Sequence, residues 1–81
     1  MGNFEIEKSA YPIGYLNCGT GGYKVTDMRS LQSLHSQPIL RDQAVQIAAD
    51  TNAGIRAGTL RLRDNDTSVS DFVQVQLEAL A

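Results

Sequence analysis

The sequence is short of the residues on which most catalytic and metal sites depend. It holds one cysteine, one histidine and no tryptophan among 81 residues. A single cysteine excludes an internal disulfide, and with one histidine it does not supply an adequate zinc ligand set. Because only two phenylalanines and three tyrosines are present, the core must be mainly aliphatic. We therefore expect one domain over residues 1–81 with a modest core, which gains stability by self-association.

Long apolar runs and an excess of charge are also missing. No stretch is long enough to span a bilayer, and the opening MGNFEIEK has acidic residues where a secretory signal would be apolar. The formal net charge of −2 argues against nucleic acid as a partner, because phosphate binding needs a concentrated basic face. We expect a cytoplasmic protein, or a virion component, without a membrane partner.

The clearest local pattern is a helix over Pro38–Asn52. Ser36 is placed to cap it, proline suits a first helical position, and Gly54 is placed to end it. Residues spaced by three and four predict one buried face: Leu40, Ala44, Ile47, Ala48 and Thr51.

Three short strands are predicted before this helix. Alternation over Asn3–Lys8 indicates a strand with one buried face, and Ile13–Cys18 and Gly22–Thr26 flank a glycine-rich turn typical of a hairpin. After the hairpin, Thr26 or Asp27 would cap a short helix. That helix would carry Met28, Leu31 and Leu34 on one side and break near Gln37.

After Gly54 the apolar period changes to two. Leu60 and Leu62 alternate with polar residues, and Val73, Val75, Leu77 and Ala79 do so again beyond a polar loop. The pattern predicts a C-terminal antiparallel hairpin. The fold class is therefore α+β: an N-terminal strand, a glycine-turned hairpin and a C-terminal hairpin packed on one main helix, with a second, shorter helix.

The turn around Gly19 offers the first candidate site. Successive backbone N–H groups there could bind an anion or a nucleotide-like ligand with help from nearby cations, although the spacing fits neither phosphate-loop motif. The residues of this small-ligand alternative are Gly19, Thr20, Gly21, Gly22, Lys24, Arg61 and Arg63. For the arginines, an ordinary solvated face is the favoured interpretation.

Catalysis and metal binding are weaker alternatives. Cys18 could be a nucleophile activated by His35 and oriented by Asp27, but we expect it to be structural and to pack as a small apolar side chain. The polar loop from Asp64 lacks the glycine and glutamate that define a calcium loop. We expect no enzymatic activity, no catalytic residue, no cofactor and no metal.

The leading functional hypothesis is a non-enzymatic interaction or assembly module that forms a homo-oligomer and also binds another protein. On the predicted C-terminal strand, large apolar groups fall on an otherwise polar face that a second subunit would cover. The predicted interface is Phe72, Gln74, Gln76 and Leu80. Small chains without targeting or catalytic signatures are common among phage and mobile-element proteins, either as virion or as accessory proteins, which is an argument by association only.

Overall fold

The computed structural model describes residues 12–19, 21–62 and 68–80. In chain order its elements are β1 (Ile13–Asn17), β2 (Tyr23–Asp27), β3 (Gln32–Ser33), α1 (Arg41–Ala57) and α2 (Ser68–Leu80). The strands form one antiparallel sheet in the order β1-β2-β3. The α+β class is confirmed. The predicted strand Asn3–Lys8 lies outside the described residues.

The core lies between the sheet and the two helices. Ile13 and Val25 point from the hairpin toward α1, and Val69 and Val73 come from α2. The α1 face that meets them is the predicted one, with Ala44, Ile47, Ala48 and Thr51 all buried. Among the described residues, no helix is long and apolar enough to cross a membrane.

The glycine-turned hairpin is confirmed. Its ladder pairs Ile13 with Asp27 and Asn17 with Tyr23. Gly19 and Gly21 have φ values of 79° and 84°, a left-handed conformation that glycine adopts without steric cost. The sequence thus specified this turn through its glycines.

The predicted short helix after Asp27 is wrong. The Asp27 carboxylate does accept the backbone N–H of Arg29, at 3.0 Å, as a capping residue would. However, the backbone oxygen of Asp27 accepts the N–H groups of Ser30 and Leu31, which closes a turn. The chain then returns along β2 as β3, where Ser33 pairs with Thr26. A local capping signal cannot distinguish a helix from such a turn.

The main helix begins and ends later than predicted. Ile39 exchanges two backbone hydrogen bonds of 2.8 Å with Tyr23, so the chain stays extended there and Leu40 precedes the helix at ψ 152°. Leu40, expected in the core, is 68 % exposed. At the other end Gly58, with φ 82°, is the C-cap. Gly54 lies inside α1, where the absence of a side chain admits Leu60.

The predicted C-terminal hairpin is replaced by α2. Residues 59–62 form no strand, and the backbone N–H of Arg61 donates instead to Ser68 Oγ at 3.1 Å. Within α2, Val73 is fully buried whereas Val75 is 59 % exposed. Residues two apart face opposite ways on a helix and the same way on a strand. Burial therefore follows the helical period.

Gly22 is a position where packing requires the absence of a side chain. A Cβ there would overlap Pro38 Cβ, and Gly22 is outside the positive-φ region. We expect Gly22→Ala to lower the free energy of unfolding by about 1–3 kcal/mol, the usual cost of overpacking. Thermal melts followed by circular dichroism would measure it. Because the overlap is with Pro38, Pro38→Gly should suppress the added cost in a double-mutant cycle. A Gly22→Ala midpoint equal to that of the native chain would contradict this packing.

Candidate functional site

The glycine turn uses some of its polar backbone groups within the hairpin itself. The Gly19 N–H donates to the Asn17 side-chain oxygen at 2.7 Å, and the Cys18 N–H donates to Gly22 across the turn. The Gly19 amide, one of those predicted to bind an anion, is therefore engaged within the hairpin, as is the neighbouring Cys18 amide. Lys24 lies on β2, the strand that follows the turn, and pairs with Leu16 of β1. Thr20 lies outside the described residues.

Of the predicted cations, the structure describes Lys24 and Arg61. Arg61 is exposed and lies between the two helices, where its backbone bonds to Ser68. Arg63 lies outside the described residues. An open groove does border the turn, but no cationic side chain of the described residues lines it. Its lining residues are Gly21, Gly22, Pro38, Ile39, Leu40 and Gln43.

The candidate catalytic residues have separate partners. The two ring nitrogens of His35 are bonded to the Val25 N–H and the Gln37 carbonyl, at 2.9 and 2.7 Å. Asp27 is paired with Arg29 at 2.7 Å, and this side-chain hydrogen bond lowers the pKa of the Asp27 carboxyl. Cys18 is half-buried, and its Sγ lies 3.9 Å from the Leu16 oxygen. The geometry does not join these three groups into a triad.

Metal ligands are similarly dispersed in the part of the chain that the structure describes. There, no group of three or more histidine, cysteine, aspartate or glutamate side chains is arranged to hold an ion. Of the polar stretch that was compared with a calcium loop, Ser68, Ser70 and Asp71 lie in the first turn of α2, and residues 64–67 lie outside the description.

The predicted interface residues lie on a helix rather than on a strand. Phe72, Gln76 and Leu80 are spaced by four residues and therefore share one face of α2. Gln74 lies on another side, where its amide donates to the Leu34 carbonyl at 3.3 Å. Leu80 is 47 % exposed, and Phe72 is partly buried.

The outer edge of β1 has a feature that the sequence did not indicate. Asn52 of α1 bonds both backbone groups of Ile13: its side-chain oxygen accepts the N–H at 3.2 Å, and its amide donates to the carbonyl at 2.9 Å. The Ile13 groups thus point away from β2. In an antiparallel ladder this direction recurs at every second residue. Tyr15 and Asn17 accordingly direct their N–H and C=O groups to the same edge.

Beyond Ile13, this edge has no partner among the described residues. No described residue bonds to the backbone N–H or C=O groups of Tyr15 and Asn17 at the outer edge. The Tyr15 ring is fixed from the core side, 6.0 Å from the Tyr23 ring and under the Arg41 guanidinium at 5.7 Å. Leu16, between them, is 39 % exposed and lies on the sheet face away from α1. β1 thus directs two backbone pairs outward, those of Tyr15 and Asn17.

No match to a known protein adds to what the geometry shows. No protein-family model matches the chain, and no curated protein or solved structure matches it either.

Proposed function

We propose that the chain is a non-enzymatic interaction module that associates with a second copy of itself by pairing the outer edges of two β1 strands. The observation that carries the proposal is that no described residue bonds the outward backbone groups of Tyr15 and Asn17, on a strand whose first residue, Ile13, is capped by Asn52. Unpaired edge groups are a template for another strand. The association would join two three-stranded sheets into one of six strands.

The cap at Ile13 restricts the register of such a pair. With the two-fold axis at Leu16, Tyr15 of each copy faces Asn17 of the other, and both have outward backbone groups. Each facing pair would exchange two hydrogen bonds, and Ile13 would remain with Asn52. Leu16 would face its own counterpart as a non-hydrogen-bonded pair, in which side chains approach most closely. The register therefore buries a leucine that the single chain leaves exposed.

The composition of the core favours association. The largest fully buried side chains among the described residues are valines and threonines: Val25, Val73, Thr26 and Thr51. Small side chains bury little apolar area each, and small domains with such cores often depend on added stabilisation. Edge pairing would provide it. The proposed class, a virion or mobile-element accessory protein, and a further protein partner rest on the sequence argument alone.

A second candidate contact is the exposed side of α2. Val75 is 59 % exposed and Leu80 47 % exposed, and apolar groups on a helix surface can be covered by another copy. We favour the β1 edge because it presents, in addition to a leucine, backbone groups that no described residue bonds. The small-ligand alternative has less support, since none of the described residues that line the groove beside the turn is cationic.

The test is sedimentation of the native chain and of Leu16→Glu from low to high micromolar concentration. The glutamate faces Lys24 within its own hairpin, so the fold should tolerate it, whereas two glutamates would meet at the two-fold axis. We expect the native chain to dimerise and the variant to have a dissociation constant raised about tenfold or more, from lost apolar contact and like-charge repulsion.

Two controls assign the contact. Leu31→Glu places the same charge at a leucine that is 63 % exposed and away from the proposed axis, and it should dimerise like the native chain. In amide exchange, Tyr15 and Asn17 should gain protection as concentration rises. A native chain that stays monomeric at high micromolar concentration would defeat the proposal. Dissociation by Val75→Glu but not by Leu16→Glu would move the contact to α2.

A further inference from the structure

The segment Leu34–Ile39 lies along β2 as an interrupted third strand. Thr26 pairs with Ser33, and Tyr23 pairs with Ile39. Thr26 and Tyr23 are three residues apart along β2, whereas their partners Ser33 and Ile39 are six residues apart. The segment therefore holds three residues more than a regular antiparallel ladder requires. Leu34 still donates its N–H to the Val25 carbonyl at 2.9 Å. The Val25 N–H, however, has no backbone acceptor opposite it.

The side chain of His35 fills this gap in the ladder. Its Nε2 accepts the Val25 N–H at 2.9 Å, in a buried position. Its Nδ1 lies 2.7 Å from the Gln37 carbonyl oxygen. An amide N–H can only donate and a carbonyl can only accept, so the ring is neutral with its proton on Nδ1. His35 is 7 % exposed.

We propose that His35 is a pH-sensitive latch that holds the segment Leu34–Ile39 against β2 and releases it when the ring binds a second proton. An imidazolium carries N–H groups on both nitrogens. In the closed arrangement its Nε2–H would point at the Val25 N–H, and two donors cannot share that 2.9 Å contact. The ring must then leave, and the Val25 N–H must find another acceptor, such as water.

The surroundings of the ring oppose its protonation. Burial lowers the pKa of His35 from its ordinary value of 6.5, and the Lys24 ammonium on β2 lowers it further, against a smaller opposite effect of the Gln37 carbonyl. From α2 the segment is contacted by the uncharged Gln74. No carboxylate of the described residues forms an ion pair with the ring.

The sign of the pH dependence follows from the lowered pKa. The open state takes up a proton near pH 6.5, and the closed state does so only at lower pH. The closed state is therefore fully favoured above about pH 6.5. It loses stability as the pH falls from there to the lowered pKa of the closed form.

Release would uncover a second interaction edge. The segment covers the outer backbone groups of Tyr23 and Val25, and it carries Pro38, which packs on Gly22. When it leaves, β2 presents a free edge and the groove beside the glycine turn loses one wall. Acidification would therefore change which edges of the sheet are open for pairing. This latch does not depend on whether β1 pairs with a second copy.

The experiment is amide hydrogen exchange of the ¹⁵N-labelled full chain between pH 8 and pH 5, at a concentration where it is monomeric. We expect the protection factors of Val25, Tyr23 and Ile39 to fall by about tenfold per pH unit between pH 6.5 and the lowered pKa. Leu16 and Thr26 have backbone groups in the β1–β2 ladder, and their protection factors should not fall with pH in this way. As the chain has one histidine, its imidazole ¹⁵N signals report the tautomer directly.

The matched variant is His35→Gln, whose amide offers an acceptor oxygen and does not titrate in this range. In this variant the protection factor of the Val25 amide should be independent of pH, whether or not the glutamine side-chain oxygen reaches the Val25 N–H. Three results would overturn the proposal. They are a native Val25 protection that ignores pH, a slope that persists in His35→Gln, and a simultaneous loss at all amides, which would indicate unfolding of the whole chain.

Discussion

Ile47→Asp is expected to give a chain that does not fold. Ile47 is 3 % exposed and lies on the face of α1 that also carries Ala44, Ala48 and Thr51. The substitution removes a buried aliphatic side chain and places a carboxylate in the apolar core. Lost packing alone costs about 2–5 kcal/mol, and burying an unpaired charge adds to it. That sum is comparable with the whole stability of a small domain, about 5–15 kcal/mol.

The control for this expectation is Val45→Asp in the same helix. Val45 is 36 % exposed, so the same charge there can remain hydrated, and its cost should stay near 1 kcal/mol. Circular dichroism and the dispersion of amide signals in an NMR spectrum would distinguish the two variants. If Ile47→Asp melts cooperatively near the native midpoint, α1 does not organise this core.

Val73→Asp and Val75→Asp form the second decisive pair, because they separate a helix from a strand. Val73 is fully buried and Val75 is 59 % exposed. In α2 the first substitution should therefore abolish or severely reduce folding, and the second should change the free energy of unfolding by about 0.5 kcal/mol or less. On the strand predicted from the alternation, both valines would face the core and both substitutions would be severe.

Thermal melts of these two variants measure the change in stability. Where one variant does not fold, the amount of each variant in the soluble fraction after matched expression gives a second readout. Equal and large losses for both valines would favour the strand. A tolerated Val73→Asp would mean that α2 does not pack on the core through this residue.

The misassignment of α2 has a specific physical origin. Val73, Val75, Leu77 and Ala79 satisfy a period of two, but Val69, Val73 and Leu77 also satisfy a period of four. Both patterns are present because the segment has more apolar residues than the buried face of a strand or of a helix requires. Asp71 in the first turn of α2 is a helical signal, since acidic residues there favour the helix dipole. It was available in the sequence and outweighed by the alternation.

The functional surfaces illustrate a different limit. Asn52 was placed from sequence at the end of a helix, yet its amide caps the Ile13 backbone, 39 residues away. His35 was considered as a catalytic base, yet both of its nitrogens are used within the sheet. The Asn52 side chain bonds a residue that is distant in the sequence, and the His35 side chain bonds Val25 where the facing segment holds extra residues. Contacts of these kinds produce no periodic pattern in the sequence. Neither role could be found without the tertiary structure.

The sequence by itself determined the hairpin and the buried face of α1. In both cases the cause is local: Gly19 and Gly21 permit the positive φ values of the turn, and spacings of three and four place Ala44, Ile47, Ala48 and Thr51 on one side. Only the tertiary structure decided where α1 begins and whether the last segment is helical. Ile39 is held extended by Tyr23 from another strand, and the period of Ser68–Leu80 was selected by packing against α1 and the sheet. Long-range contacts of this kind choose among local conformations of nearly equal energy.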